Sequence, residues 1–177
     1  MELTQQLQQL LDRVAIEDQI KHYAALIDGK QFDRLEEVLL PGAWIDYTAS
    51  GGEKGTLEEM RGFLSRSMAP FRSQHLMTNV EVTVAPDRKT ASSTHLLFNP
   101  MTMDQRGRDY TFFCGLRYDC EWVRTEEDVW KAARMVQKDG YAYHRPLPPQ
   151  NNVRVQRTIH TKTGAAHSAP VYYYLSI

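Results

Sequence analysis

Near His75 the spacing of apolar residues in this chain changes from three and four to two. Before that point Leu7, Leu10, Leu11, Val14, Ile20, Tyr23 and Ile27 recur at helical intervals, and after it apolar and polar residues alternate along four long runs. A helix brings every third or fourth side chain round to one face, whereas a strand returns every second one, so the two parts cannot share a secondary structure. Helices first and strands after is the order of an α+β domain. Consecutive βαβ units, the mark of a parallel sheet, are absent.

The spacing predicts helices near 5–28, 31–40 and 56–70. Asp28-Gly29 reads as the stop of the first, with the glycine supplying a left-handed cap. Pro41-Gly42 ends the second. Thr56 with Glu59 three residues on forms a capping-box pattern that opens the third, which carries Met60, Phe63 and Leu64. Between the second and third lies a short strand, Trp44 to Thr48. After Gln74 come HLMTNVEVTVA, TASSTHLLFNPM, RDYTFFCGLRYDCEWVR and DVWKAARMVQKDGYAY, joined at Pro86-Asp87, Gln105 to Gly107, and Thr125 to Asp128. Phe112, Cys114, Leu116, Tyr118, Cys120 and Trp122 fall on one face of the third run. These elements predict a strongly bent antiparallel sheet.

A chain of 177 residues with 42% hydrophobic and 24% charged residues can bury a real core, as one domain with a tail. Its net charge of −1 argues against nucleic acid, which needs clustered basic surface. No apolar run approaches a membrane span, and MELTQQLQQLL is too polar for a signal peptide, so the expected compartment is the cytoplasm. Cys114 and Cys120 stand six residues apart on one strand, roughly 20 Å at the usual rise, too far for a disulfide. Past Tyr143 the texture shifts: RPLPPQNN reads as a linker, and Val171 to Ile177 is too apolar to stay solvated. The expectation is a tail that covers the pocket mouth or a neighbouring subunit.

Signatures of nucleotide, zinc-protease and serine-nucleophile chemistry are missing. What remains are polar residues on apolar elements: Asp28 at the end of helix one, Tyr47 on the first strand beside Asp46, His75 at the start of the second, and His95 inside the third. Arg134 alternates with Trp130, Ala132 and Val136, which predicts an inward charge that needs a partner. Each has a plain structural reading as a core or turn residue. His22, His144, His160 and His167 read as surface or tail residues. His75, His95 and a carboxylate also satisfy the composition of a two-histidine, one-carboxylate iron site.

The run YAALIDGKQFDRLEEVLLPGAWIDYTASGG, followed by QHLMTNVEV and STHLLF, resembles the scytalone dehydratase/SnoaL-like branch of the nuclear-transport-factor-2-like superfamily. The resemblance runs from Leu10 to Tyr143 and includes YDCEWVR and DVWKAAR, similar to the closing hairpin of that family. It implies a cone-shaped α+β barrel over 1–144, three helices on a curved sheet around one pocket, with 145–177 as the tail. It implies that His75 and His95 act as acid and base, that Asp28 orients one of them, and that Tyr47 positions a water that polarises a carbonyl. Bile-acid dehydratase relatives place a tyrosine and an arginine where Tyr23 and Arg134 stand. A second tyrosine of scytalone dehydratase is Ile27 here, and its pocket serine and asparagine fall near Leu116 and Tyr118, so scytalone itself is not the expected substrate.

The chemistry so implied is removal of a proton α to a carbonyl without metal or organic cofactor. It serves dehydration, isomerisation, cyclisation or retro-aldol cleavage alike. Trp44, Phe63, Met77, Leu97, Phe112, Trp122 and Met135 are the candidate lining, suited to a hydrophobic, aromatic or polycyclic substrate. The resemblance also implies a homodimer or homotrimer. Two rival readings are a non-catalytic subunit, like the β subunit of ring-hydroxylating dioxygenases, and a ligand-storage module.

Overall fold

The computed structural model describes residues 2–107 and 109–145. The tail expected over 145–177, Arg145 apart, lies outside the described residues. Helix α1 spans Leu3–Asp28, a 3-10 helix Phe32–Glu37, strand β1 Leu39–Asp46, a 3-10 turn Thr48–Ser50, β2 Lys54–Thr56 and helix α2 Leu57–Met68. The rest is strand: β3 Phe71–Ser73, β4 Leu76–Val84, β5 Thr90–Asp104, β6 Asp109–Arg124 and β7 Trp130–Arg145. The sheet runs β2-β1-β7-β6-β5-β3, with β4 also paired to β5, and curls strongly around the three helices. No helix among the described residues is long and apolar enough to cross a membrane.

The antiparallel sheet holds with one exception: β1 runs parallel to β7. These two strands are joined by the rest of the domain rather than by a hairpin, so nothing obliges them to reverse direction. β1 also begins earlier than expected. The second helix is a short 3-10 segment, and Pro41 and Gly42 lie within the strand, at an irregularity between Leu39 and Trp44 where Gly42 takes φ +75°. A bulge is where a sheet tolerates proline.

Helix α1 ends one step later than its glycine suggests. Gly29 keeps right-handed geometry, and Lys30 takes the left-handed conformation at φ +56°. The Gln31 N–H reaches back to Leu26 O at 2.8 Å and the Lys30 N–H to Ile27 O at 3.1 Å. This paired return satisfies the last carbonyls of the helix. Helix α2 begins as expected, with the Glu59 carboxylate accepting the Thr56 backbone N–H at 2.7 Å.

Burial of α1 starts only at Asp12. Leu3, Leu7, Leu10, Leu11 and Val14 are exposed, whereas Ile16, Ile20, Tyr23, Leu26 and Ile27 are packed on the sheet. Each such aliphatic side chain contributes about 1.5–3 kcal/mol on burial. Asp12 fastens the helix where burial begins. Its carboxylate accepts Arg88 Nε at 2.5 Å and Trp130 Nε1 at 3.2 Å, and pairs with Arg124 at 3.2 Å. One side chain thus ties α1 to the β4–β5 turn, the end of β6 and the start of β7. Burial by itself would raise the Asp12 pKa, but the hydrogen bonds from Arg88 and Trp130 and the two guanidinium charges outweigh it and hold the carboxyl below its ordinary value.

Asp12→Ala should therefore cost about 2–3 kcal/mol, somewhat under the loss for a fully buried pair because Arg88 and Arg124 keep partial contact with water. A depressed folded pKa contributes stability that is present above the unfolded value, near 4, and lost as pH falls through the folded one. Melting temperatures of wild type and Asp12→Ala measured from pH 7 to pH 3 should accordingly converge in the acid range. A constant gap across the series would show that the charge of Asp12 is not what stabilises the fold.

Candidate active site

Strand alternation chooses which side chains face the concave side of the sheet, and bulges reset the choice. On β7, Ala132 opposes Trp122 but Arg134 opposes Glu121, so Ala133 is an extra residue. Trp130 and Ala132 point inward before it, and Met135 and Gln137 after it. A second shift lies between Lys138 and Tyr141, past which Ala142 faces in. On β5, Ala91, Ser93, His95, Leu97, Asn99 and Met101 are the buried positions.

The resulting cavity, of about 400 Å³, lies between the sheet, the end of α1 and helix α2. Ile27, Phe63, Leu64, Met68, Phe71, Leu97, Met101, Phe112 and Leu116 give it an apolar wall. Tyr23, Tyr47, Ser50, His75, Asn99, Tyr118 and Gln137 supply its polar groups.

His75, in the lining, is hydrogen-bonded to Asp28 behind it. The Asp28 carboxylate accepts the His75 backbone N–H at 2.8 Å, His75 Nδ1 at 2.6 Å and the Ser73 hydroxyl at 2.7 Å. Burial opposes the charge of Asp28, but these bonds and the imidazole prevail, so its pKa is lowered and it stays ionised. With Nδ1 bound to the carboxylate, the other ring nitrogen, Nε2, is the one left for chemistry, and Asn99 Nδ2 lies 3.3 Å from it.

Three tyrosines stand together in the same cavity. The Tyr23 and Tyr47 hydroxyls are in direct hydrogen-bond contact, and Gln137 Nε2 donates to the Tyr118 hydroxyl at 2.9 Å. Ser50 Oγ donates to Gln137 Oε1 at 2.5 Å. Burial raises the pKa of all three phenols, so they remain protonated and can act as donors.

The structure brings His75, Tyr23 and Tyr47 to one cavity, with Asp28 bonded to His75 behind the lining and Phe63, Leu97 and Phe112 in the wall. His95 does not join them. It faces the core four residues from Asn99, about 13 Å along the strand, stacked on Tyr118 with ring centroids 5.1 Å apart. It is 2% exposed, its Nδ1 has no hydrogen-bond partner among the described residues, and burial pushes its pKa down to about 4 against a weaker pull from Asp119. Arg134 lies on the outer face, 45% exposed and 3.4 Å from Glu121, because the extra residue Ala133 reverses the alternation. Trp44 opposes it across β1 and is likewise outward, 41% exposed. Met77, Trp122 and Met135 pack in or against the core outside the cavity lining, Trp122 donating to Ser93 Oγ at 2.8 Å and Met135 taking the Tyr47 hydroxyl at 3.9 Å. Among the described residues no three His, Cys, Asp or Glu side chains gather as a metal site, so the iron-triad alternative has no ligand set there. Both cysteines are free thiols. Reasoning from sequence passed over Asn99, Gln137 and Ser50. Asn99 shares the parity of His95 along β5, which was the available signal.

A family model described as a SnoaL-like domain matches residues 8–136. An uncharacterised protein of Mycobacterium tuberculosis is 38% identical over 130 residues, 73% of this chain and 86% of that protein. The β subunit of 3-phenylpropionate/cinnamic acid dioxygenase from Photorhabdus laumondii is 29% identical over 112 residues, 59% of this chain and 58% of that subunit. Among solved structures, a proposed scytalone dehydratase from Novosphingobium aromaticivorans superposes with a TM-score of 0.64 at 18% identity, covering 81% of this chain and 95% of that one. A type 2 hexachlorocyclohexane dehydrochlorinase gives 0.65 at 19% identity, covering 81% and 94%. At these identities the two structures show a shared fold.

His95 supplies the test of this geometry. A histidine held neutral contributes stability that is complete above its unfolded pKa, near 6.5, and is lost as pH falls towards about 4. His95→Phe should lessen the decline in melting temperature between pH 6.5 and 4 while leaving activity per folded molecule unchanged. A large loss of turnover with an unaltered pH–stability curve would return His95 to the catalytic machinery.

Proposed function

The chain belongs to the SnoaL-like domain family, and from that premise we propose that it is a cofactor-independent lyase or isomerase acting on a small hydrophobic substrate. The observation that carries this reading is the His75–Asp28 pair, whose carboxylate is ionised and whose imidazole lines an apolar cavity. In the proposed reaction His75 Nε2 removes a proton next to a carbonyl, and Asp28 stabilises the imidazolium that forms. The protonated tyrosines are available to hold a water or a substrate oxygen. The same imidazole then returns the proton, either to a leaving oxygen, giving dehydration, or to another carbon, giving isomerisation. In retro-aldol loss it instead takes the proton of a β-hydroxyl, the Cα–Cβ bond breaks to release the aldehyde, and the proton returns to the α-carbon of the enolate. None of these steps calls on a metal or an organic cofactor.

The match to a dioxygenase β subunit favours one other reading, a non-catalytic subunit of a larger enzyme. Co-purification in fixed ratio with a large partner subunit, and no turnover by the isolated chain, would support it.

Exchange of the α-hydrogens of 2-tetralone with solvent deuterium tests the enzymatic reading, since this uncharged aromatic ketone fits a cavity of about 400 Å³. His75→Ala should slow exchange by about 10²-fold or more, the usual scale for losing a positioned base, with little change in melting temperature. Asp28→Asn should cost less, and a chelator should have no effect. Wild-type exchange rates in His75→Ala would overturn the assignment of the base.

The outer face of the sheet exposes Leu76, Leu96, Phe98 and Tyr141, and we propose that copies of the chain associate through it as a dimer or trimer. Light scattering at micromolar concentration should show the oligomer, and a monomer throughout would refute it.

A further inference from the structure

The side-chain amide of Asn99 has one orientation open to it. Its Oδ1 accepts the backbone N–H of Gln74 at 3.3 Å, and turning the amide over would set one N–H against another. Nδ2 therefore faces His75 Nε2 at 3.3 Å. That contact makes Nε2 the acceptor, so the imidazole hydrogen sits on Nδ1 and is donated to Asp28 at 2.6 Å. An amide nitrogen carries two hydrogens. One goes to His75, and the other has no acceptor among the described residues, although Asn99 is 3% exposed and lines the cavity.

Charge narrows the ligand further. No lysine or arginine lines the cavity among the described residues. The nearest carboxylate, Asp28, sits behind His75 and would repel an anion. The buried ammonium of Lys30 is coupled to the Asp28 carboxylate and is not part of the lining. Among the described residues an acidic ligand would thus lose its hydration without gaining a counter-charge in the cavity wall.

We infer that Asn99 is the oxyanion donor of this site, and that its substrate is an uncharged apolar ketone or aldehyde with a C–H bond beside the carbonyl. Base and donor are adjacent, as the neighbouring α-carbon and carbonyl oxygen require. His75 Nε2 takes the α-hydrogen as a proton, the C–H electron pair becomes the new C=C bond, and the carbonyl π pair moves onto oxygen. Asn99 N–H donates to that oxygen. Return of the proton from Nε2 completes the cycle, and no further reactant is consumed. This assignment rests on His75 acting as the base.

The test compares binding of 2-tetralone, of tetralin, which lacks the oxygen, and of the similar-sized anion 2-naphthoate. Wild type should bind the ketone about tenfold more tightly than either, the scale of one buried hydrogen bond. The infrared carbonyl stretch of the bound ketone should fall relative to free ketone. Asn99→Leu should abolish both effects and slow α-exchange by about 10²-fold. Asn99→Asp keeps the Gln74 contact and nearly the same volume, so it serves if the leucine variant does not fold. It should also lose the ketone preference, and nitrogen-15 NMR should show hydrogen on both ring nitrogens of His75 rather than on Nδ1 alone. Unchanged ketone preference in both variants, equal binding of 2-naphthoate, or no saturable binding of 2-tetralone would each overturn the inference. Failure of the base shows differently: the ketone preference and its dependence on Asn99 persist, but wild type catalyses no exchange.

Discussion

The Asp28 carboxylate connects the fold to the candidate site. It lies in the last turn of α1 and takes three hydrogen bonds from one short segment, through the Ser73 hydroxyl, the His75 amide and the His75 ring. The main-chain bond fixes the entry to β4, and the ring bond fixes the imidazole. The return of the chain through Lys30 and Gln31 closes the helix just beyond Asp28, so the carboxylate is held from both sides. A half-buried acid with so many donors stays charged near neutrality, and that charge is what selects the Nδ1–H form of His75. At the other end of the buried part of α1, Asp12 plays the mechanical counterpart, fixing the helix to three separate parts of the sheet. The position of His75 in the cavity wall depends on both attachments.

Much of this was legible because it is local. Helical spacing up to Ile27 followed by alternation after His75 is enough for the α+β class. Asp28, His75 and Tyr47 sit at element ends whose positions the turn residues reveal, whereas Tyr23, inside α1, is singled out by the family resemblance. What stayed hidden depends on interruptions to regularity. Arg134 obeys the inward alternation of Trp130 and Ala132, yet faces water, because Ala133 is one residue more than β6 can match. Trp44 is outward for the neighbouring reason, being paired with Arg134. Parity gives the face of a strand but not the depth along it. His95 and Asn99 share a face of β5, and the histidine was preferred for its chemistry although the asparagine is the one beside His75. Trp122 and Met135 are inward as expected but lie beyond the cavity floor, where they serve the core. Asn99 lies inside the strand run TASSTHLLFNPM, and its place beside Gln74 and His75 appears only when the sheet is assembled.

Apart from the anchors Asp12 and Asp28, the electrostatic layout follows a single rule. Charged pairs lie on the outer face of the sheet or at its margins, such as Arg117 with Asp119 and Asp139, or Arg134 with Glu121. The inner face carries neutral hydrogen-bonding groups, three phenols and two amides, with His95 kept neutral by burial. In a cavity of low polarity an unmatched charge is expensive, whereas a neutral donor aimed at an incoming oxygen is effective at little cost.

The bulge at Ala133 separates two kinds of inheritance in this domain. The His75–Asp28 pair is held by main-chain bonds and helix geometry, which substitutions in the cavity wall do not disturb. The wall itself is composed by the parity of β5, β6 and β7, so the gain or loss of one residue in a strand exchanges its whole set of inward side chains downstream. A lineage can therefore change what the cavity admits in a single insertion while His75 and Asp28 remain in place. New substrate ranges would then arise by steps in register as well as by gradual replacement of side chains.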